Sequence, residues 1–341
     1  MNKKPVVCVL LGDASGVGSE ILVKAFGGDA KVPEAVRVAL LGDERVLARA
    51  EELIGKKISY KLVKPEEIRE TEEDIVMVDT KNVDPAQAPF AKVNAVCGKA
   101  VVEDIKAACN YYVKGYVDGI CFAPFNKEAI RMNYPEVASE LEIFKKYCEE
   151  LGLTVDNDFG EMNVVDGLWT TRVTSHIPLT KLADYLTYDK IMSMIRLADK
   201  SCRASGIENP RIAVCALNPH CGEGGLCGDE EQTLIKPAIE QGRTEGYNII
   251  GMYSADTVFV HAFNGEADVV VTMYHDQGQI ALKLKEFSHA VTIVAGFPMP
   301  IGTPAHGTAH DIAGTGKVSD SAFLTAFGIV ARQTIHAVSG K

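Results

Sequence analysis

The sequence predicts an α/β fold of two domains built on mostly parallel sheets, and three observations carry that expectation. Short β-branched runs alternate with longer amphipathic segments along the whole chain, as strands do when helices cover them. The chain has 341 residues, and about 150 residues per domain suggests two domains. A polar turn with a charged run after it interrupts the pattern past residue 125, and the C-terminal end closes on one more helix.

Taken in order, the run at 6–11 is the first strand. It is too short for a signal peptide or a membrane span. Gly12 and Asp13 end it, and a helix at 18–25 follows. A strand at 36–41 leads to a helix at 44–54, and a strand at 75–79 to a long helix at 93–114. The strand at 119–123 closes this series, and the charged stretch 139–151 is a helix. Beyond it, a helix at 188–205 precedes a strand at 211–216, and a helix at 229–241 precedes strands at 267–272 and 290–295. A helix at 319–335 ends the chain. No repeat, low-complexity tract or Pro/Ser-rich linker interrupts it.

The boundary falls in the turn after Phe125, and the polar loop past Gly302 leads back into the final helix. The expected domains are therefore residues 1–130 with 305–341, and residues 131–304 inserted between them. A cleft between such domains is where a site is expected.

Charge narrows the function. Lys and Arg total 35 against 46 Asp and Glu, a net charge of −11. Nucleic acid and anionic membrane need a basic face, so neither is expected as partner. An anionic small substrate needs only a local basic pocket. The nine cysteines are odd in number and scattered, with no Cys-x-x-Cys pair, which suits reduced thiols in a cytoplasmic protein.

Three histidines stand out: His176 in Thr-Ser-His-Ile-Pro-Leu, His220 in Asn-Pro-His-Cys-Gly-Glu-Gly-Gly, and His275 in His-Asp-Gln-Gly. Each follows an apolar run, where a buried strand would emerge into a loop. Any one alone reads as a hydrogen-bonded structural residue. Together, three neutral imidazoles on separate strand ends suit one divalent metal and leave positions open for substrate. Zinc is the expected ion, with Co, Ni, Mn, Fe or Mg as alternatives. Cys221 and Cys227 flank the glycines beside His220 and read as small packed residues rather than ligands.

Two loops offer themselves to a cofactor, although a Gly-x-Gly-x-x-Gly fingerprint with its later acidic residue is missing. The first runs Gly12-Asp13-Ala-Ser-Gly-Val-Gly-Ser-Glu20 from strand to helix, and reads equally as an anion site or a tight turn. The second is His306-Gly307-Thr308-Ala309-His-Asp311-Ile-Ala-Gly314-Thr-Gly316, whose glycines permit close backbone approach. It resembles the adenosine-binding loop of the isocitrate and isopropylmalate dehydrogenase fold. In that fold an acid at the place of Asp311 goes with NAD and repels the extra phosphate of NADP.

The ordered set of motifs resembles one family. It comprises the Gly12–Ile21 segment, Asn126-Lys127, Ser175-His-Ile-Pro-Leu179, Asn218-Pro-His-Cys-Gly-Glu-Gly-Gly225, Ala255-Asp256-Thr257, Tyr274-His-Asp-Gln-Gly278 with Lys283, and His306-Gly-Thr-Ala309. Together they are similar to the 4-hydroxythreonine-4-phosphate dehydrogenases of vitamin B6 synthesis, over almost the whole chain. The resemblance implies a homodimer with a cleft between two α/β domains and a metal held by His176, His220 and His275, both subunits contributing to one site. It implies NAD-dependent oxidation of a secondary alcohol, followed in the B6 enzyme by loss of carbon dioxide. A metal at the alcohol oxygen favours loss of its proton. Asp256 and Asp276 are candidates to orient substrate or act as base, and Lys283 matches a lysine that contacts substrate. Asn126 and Lys127 are weaker candidates, because Asn-Lys after a strand also starts an ordinary helix.

On the substrate side the chain departs from that pattern. Where the family carries Gly-His-Thr-Glu, this sequence reads Ser139-Glu140-Leu141-Glu142, and family positions with Asn and Arg fall on Thr292 and Ile301. Exchanging cationic partners for Glu140 turns attraction for a phosphate dianion into repulsion. The expected substrate is therefore other than the B6 intermediate: a hydroxy acid, a four-carbon sugar acid or a cis-dihydrodiol. Arg131 or Lys145 could restore the lost charge. The competing readings are a phosphate acyltransferase on the same fold, a metal hydrolase, and a ligand sensor without turnover.

Overall fold

A computed structural model describes residues 4–30, 32–286 and 288–339. Two compact units result, Met1–Val155 with Phe297–Lys341, and Asp156–Gly296. In the first, β1 (Val6–Leu10), α1 (Gly18–Phe26), β2 (Arg37–Gly42) and α2 (Glu44–Ile54) are followed by β3 (Lys61–Leu62) and β4 (Ile75–Asp79). Then come α3 (Ala95–Val113), β5 (Gly119–Phe122), α4 (Lys127–Arg131) and α5 (Glu140–Glu150). The second unit holds β6 (Gly160–Val165), β7 (Leu168–Arg172), α6 (Leu182–Tyr185), α7 (Tyr188–Ala204), β8 (Ile212–Cys215) and α8 (Lys236–Thr244). It ends with β9 (Ile249–Tyr253), α9 (Val258–Phe263), β10 (Val269–Thr272), α10 (His275–Lys285) and β11 (Val291–Ala295). The chain then returns to the first unit with β12 (Ile301–Pro304) and α11 (Ser321–Ser339).

Strand order in the first unit is β3-β4-β2-β1-β5-β12, and every neighbouring pair is parallel. Its central strands β1 and β2 are buried at every position, as apolar runs covered on both faces require. Side-chain caps fix the helix starts: Asn94 accepts from the Cys97 amide ahead of α3, and Ser139 from the Glu142 amide ahead of α5. Residues 131–155 belong here rather than to the inserted unit, where the sequence boundary had put them. The reason is packing: α5 lies against α3, with Phe144 and Cys148 fully buried. Residues 297–304 stay as well, because β12 pairs with β5.

In the second unit the order is β11-β6-β7-β10-β8-β9. The β7-β10-β8-β9 part is parallel, whereas β6 runs antiparallel to both β7 and β11. Sequence reading passed over this hairpin. Asp166 and Gly167 both take positive φ, +50° and +82°, the two-residue turn that suits strand twist. Leu168, Val270, Phe259 and Ala262 form a core beneath β7, β10 and α9. No helix among the described residues is long and apolar enough to cross a membrane.

Candidate active site

Parallel pairing of β7, β10 and β8 puts their C-terminal ends side by side, although they are far apart in the chain. The loops leaving those ends carry His176, His275 and His220 respectively. Ligand sites in parallel sheets form at this edge. The His176 and His275 rings stand 5.5 Å apart between centroids, tilted at 46°. They border a cavity of about 170 Å³ with Thr174, Ser175, Tyr274 and Asp276. His275 Nδ1 lies 2.7 Å from Asp276 Oδ1, which fixes the ring and leaves Nε2 for a ligand. Gln277 ties this helix start to its neighbour strand, accepting from the Met273 amide (2.8 Å) and donating to the Ala216 carbonyl (2.9 Å).

His220 differs. It opens a left-handed turn in which His220, Cys221, Gly222, Glu223 and Gly224 all have φ between +43° and +77°. The fully buried Glu231 carboxylate organises that turn, accepting from the Leu217 amide (2.9 Å), the Asn218 amide (2.7 Å) and Asn218 Nδ2 (3.0 Å). Burial opposes its charge, but the hydrogen bonds from Asn218 and Leu217 prevail and hold the carboxyl below its ordinary range. Among the described residues no group of three or more His, Cys, Asp or Glu gathers as a metal site, so one chain brings two of the three expected imidazoles together. Two adjacent imidazoles, one of them oriented by a carboxylate, nevertheless suit a divalent cation that draws further ligands from elsewhere.

Beside this edge lies a polar cluster of which the sequence singled out only Thr292. Asn163 and Thr170 are register partners, as are Asn163 and Thr292, which puts Glu161, Asn163, Arg172 and Thr292 on one sheet face. Gln279, one turn along α10 from His275, covers it through a 2.6 Å bond to Asn163. Thr292 takes a 3.0 Å bond from Asn163, so its hydroxyl already has a partner. Lys283 is exposed further along α10, and Asp256 is exposed ahead of α9.

In the first unit the two glycine loops meet. The Val17 amide donates to the Thr308 carbonyl (3.1 Å), and Ser15 Oγ lies 3.4 Å from His310 Nε2. Fully buried Glu20 accepts from the Gly314 (2.7 Å) and Gly316 (2.8 Å) amides, and Lys24 donates to the Gly316 (2.6 Å) and Val318 (2.7 Å) carbonyls. Thus α1 grips the second loop from both signs of charge. Asp13 is itself fully buried, with Oδ1 taking the Ser15 amide and hydroxyl (2.8 and 2.6 Å). With Gly12 against the Pro124 carbonyl, this first loop is a structural turn whose carboxylate repels an anion. Thr308 is buried against Gly16, while Ala309 adopts φ +44° and leaves His306, Gly307 and Asp311 toward the outside.

Other expected substrate residues have structural explanations. Asn126 caps α4, accepting from the Ala129 amide at 2.9 Å. Lys127 Nζ stands 3.2 Å from Glu140 Oε2, and Leu141 is half-buried next to it on α5. Ile301 is fully buried in β12 and offers no polar atom to a ligand.

A family profile described as the pyridoxal phosphate biosynthetic protein PdxA matches residues 34–330. The chain belongs to the PdxA family. A Pseudomonas aeruginosa family member, provisionally named 4-hydroxythreonine-4-phosphate dehydrogenase 2, is 38% identical over 97% of this chain and 98% of its own. A Symbiobacterium thermophilum member, provisionally named D-threonate 4-phosphate dehydrogenase, is 37% identical over 94% of this chain and 93% of its own. Among solved structures, the 4-hydroxythreonine-4-phosphate dehydrogenase of Klebsiella pneumoniae aligns with TM-score 0.83 and 30% identity, covering 97% and 100% of the two chains. This PdxA family protein is accordingly a dehydrogenase, an oxidoreductase acting on a CH–OH group.

Proposed function

We propose that this protein oxidises the secondary alcohol of a four-carbon hydroxy acid with NAD and one divalent metal, zinc by preference. The His176–His275 pair beside Asp276 is the observation that carries the reading. His176, His275 and His220 hold the cation, and a second copy of the chain completes the ligand set in a homodimer. A cation held there would supply positive charge that eases loss of the alcohol proton, and a bound nicotinamide would supply the hydride acceptor.

The chain's own residues do the rest. Asp276 keeps the His275 ring turned so that Nε2 faces outward. Asp256 and Asp276 are the carboxylates at hand to accept the alcohol proton, and Lys283 offers its ammonium to the substrate carboxylate. The loop at 306–316, clamped by Glu20 and Lys24, receives the dinucleotide, and Asp311 accepts from its ribose hydroxyls. A carboxylate there disfavours the additional phosphate of NADP.

The relatives' names describe phosphorylated substrates. In this chain Lys127 is already paired with Glu140, which removes one cation from phosphate recognition and supports a substrate other than the B6 intermediate. Turnover is tested by following reduced nicotinamide on a panel of four-carbon hydroxy acids, their phosphates and a cis-dihydrodiol. His220→Ala is expected to abolish turnover and weaken zinc binding while the circular dichroism spectrum is kept, because His220 is exposed. Full activity of that variant in chelated buffer overturns the metal assignment.

A further inference from the structure

Arg172 ends β7, just ahead of the loop that carries His176, and has no role in the reading above. Its side chain is 8% exposed, and it is held from three sides. Nε donates to Ser175 Oγ (2.9 Å), Nη1 to Asn163 Oδ1 (2.7 Å), and Nη2 to the Glu161 carboxylate. A guanidinium has five N–H groups, so two remain with no acceptor among the described residues. Ser175, its first partner, lines the same cavity as His176 and His275. Gln279, bonded through its amide nitrogen to the same Asn163 oxygen, keeps its own carbonyl oxygen unspent.

Burying a guanidinium with unspent donors is unfavourable unless something else accepts from them. Three fixed contacts also remove its rotamer freedom in advance, which favours binding of a rigidly placed oxygen. Charge then sets what kind of oxygen. Glu161 offsets Arg172 locally, and among the described residues Lys283, one turn beyond Gln279 on α10, has no ion-pair partner. With the proposed divalent cation offset by Asp256 and Asp276, the one positive charge of Lys283 balances one carboxylate. A phosphate added to the same molecule would bring about two further negative charges toward Glu161 and Asp276.

We propose that Arg172 is a specificity-determining residue of the His176–His275 site, and that its pairing with Glu161 selects an unphosphorylated hydroxy acid over its phosphate ester. Arg172 donates to a hydroxyl or carboxylate oxygen of the substrate, while Asn163 and Ser175 hold it in place. The inference rests on the reading of that site as one for hydroxy acids.

Affinity separates this inference from the dehydrogenase reading. Threonate and threonate 4-phosphate are titrated calorimetrically into the full-length zinc-loaded protein, as wild type, Glu161→Gln, Arg172→Lys and Arg172→Met. Wild type is expected to favour threonate by about tenfold or more. Glu161→Gln frees the Arg172 charge and shifts that ratio toward the phosphate by about tenfold or more. Arg172→Met weakens threonate binding by about 30- to 100-fold, and Arg172→Lys restores part of it, with zinc affinity unchanged in both. Should Arg172→Met prove unstable, the Glu161→Gln ratio decides the matter. Tighter binding of the phosphate by wild type, or a ratio unmoved by Glu161→Gln, overturns the proposal. Binding as expected without reduction of NAD would instead refute the dehydrogenase reading and leave the role of Arg172 standing.

Discussion

Replacing Glu231 by Gln tests how the His220 turn is held. Three non-glycine residues there, His220, Cys221 and Glu223, sit at φ +53°, +55° and +43°. Left-handed backbone is unfavourable by roughly 1–2 kcal/mol for each such residue, or about 3–6 kcal/mol for the turn. Against this stand the three hydrogen bonds from Leu217 and Asn218 to the buried Glu231 carboxylate. Bonds to a charged group contribute about 1.5–3 kcal/mol each, or about 5–9 kcal/mol together. Gly222 confirms how tightly the turn wraps this group: a Cβ there would lie 2.7 Å from Glu231 Oε2.

In the Gln variant one oxygen still accepts from the two backbone amides, without charge. The other becomes an NH2 group facing Asn218 Nδ2, donor against donor. A net loss of about 3 kcal/mol follows, comparable with the strain being held, so the turn relaxes and His220 leaves its place. At about 1.4 kcal/mol per decade this weakens zinc binding by about 100-fold. Zinc titration calorimetry measures it, with Glu230→Gln as a milder control because among the described residues Glu230 meets only the Asn218 side-chain amide. Zinc affinity within about threefold of wild type in Glu231→Gln would refute the reasoning.

Glu20→Gln removes the charge that receives the Gly314 and Gly316 amides, and is expected to weaken NAD binding by about tenfold while zinc binding is kept; fluorescence titration with NADH reads it. Asp104 is governed by burial, which outweighs its bonds from Asn82 and Thr80 and pushes its carboxyl up to about 7. The folded group keeps a proton that the unfolded one, near about 3.9, has lost, so stability falls as pH rises from about 4 to 7 and levels beyond. Urea midpoints at about pH 5 and pH 7 should converge in Asp104→Asn, and a slope as steep as wild type's would contradict the assignment. Gly98→Ala sets a Cβ 2.0 Å from the Ala129 carbonyl oxygen, driving α3 off α4, and is expected to destabilise by about 3 kcal/mol or prevent folding. Chemical denaturation of that variant checks the close approach.

The histidines were legible because each ends an apolar run, and local pattern is what a sequence shows directly. Their adjacency was not, since β7, β10 and β8 become neighbours only through crossover connections whose order the chain does not spell out. The β6–β7 hairpin was legible and passed over: Asp166-Gly167 between apolar runs is a strong turn signal. Placing it would have set Asn163 opposite Thr170 and exposed the Arg172 cluster to view. The left-handed turn after Pro219 was only hinted at by its glycines, because Cys221 and Glu223 give no local sign of positive φ. Likewise the spare reading of Asn126 as a helix cap, rather than a ligand, needed coordinates to decide.

Buried carboxylates explain why acidic residues accompany every glycine-rich motif in this chain. Asp13, Glu20 and Glu231 are each fully buried: Glu20 and Glu231 each accept two backbone amides, and Asp13 accepts one together with the Ser15 hydroxyl. Glycine permits the backbone to reach unusual conformations but adds freedom that must be removed for a site to be precise in shape. A carboxylate with two oxygens can fix two amides at once, and a charge-assisted bond is strong enough to offset both that freedom and its own burial. It follows that neutralising any of the three should disturb ligand affinity through geometry, without altering the pH at which chemistry turns on. A carboxylate acting as general base would show the opposite: an altered pH profile with affinity largely kept. Asp256, exposed and bonded to neither ring, is the residue for which that second outcome is expected, whereas Asp276, which holds the His275 ring, should show both effects.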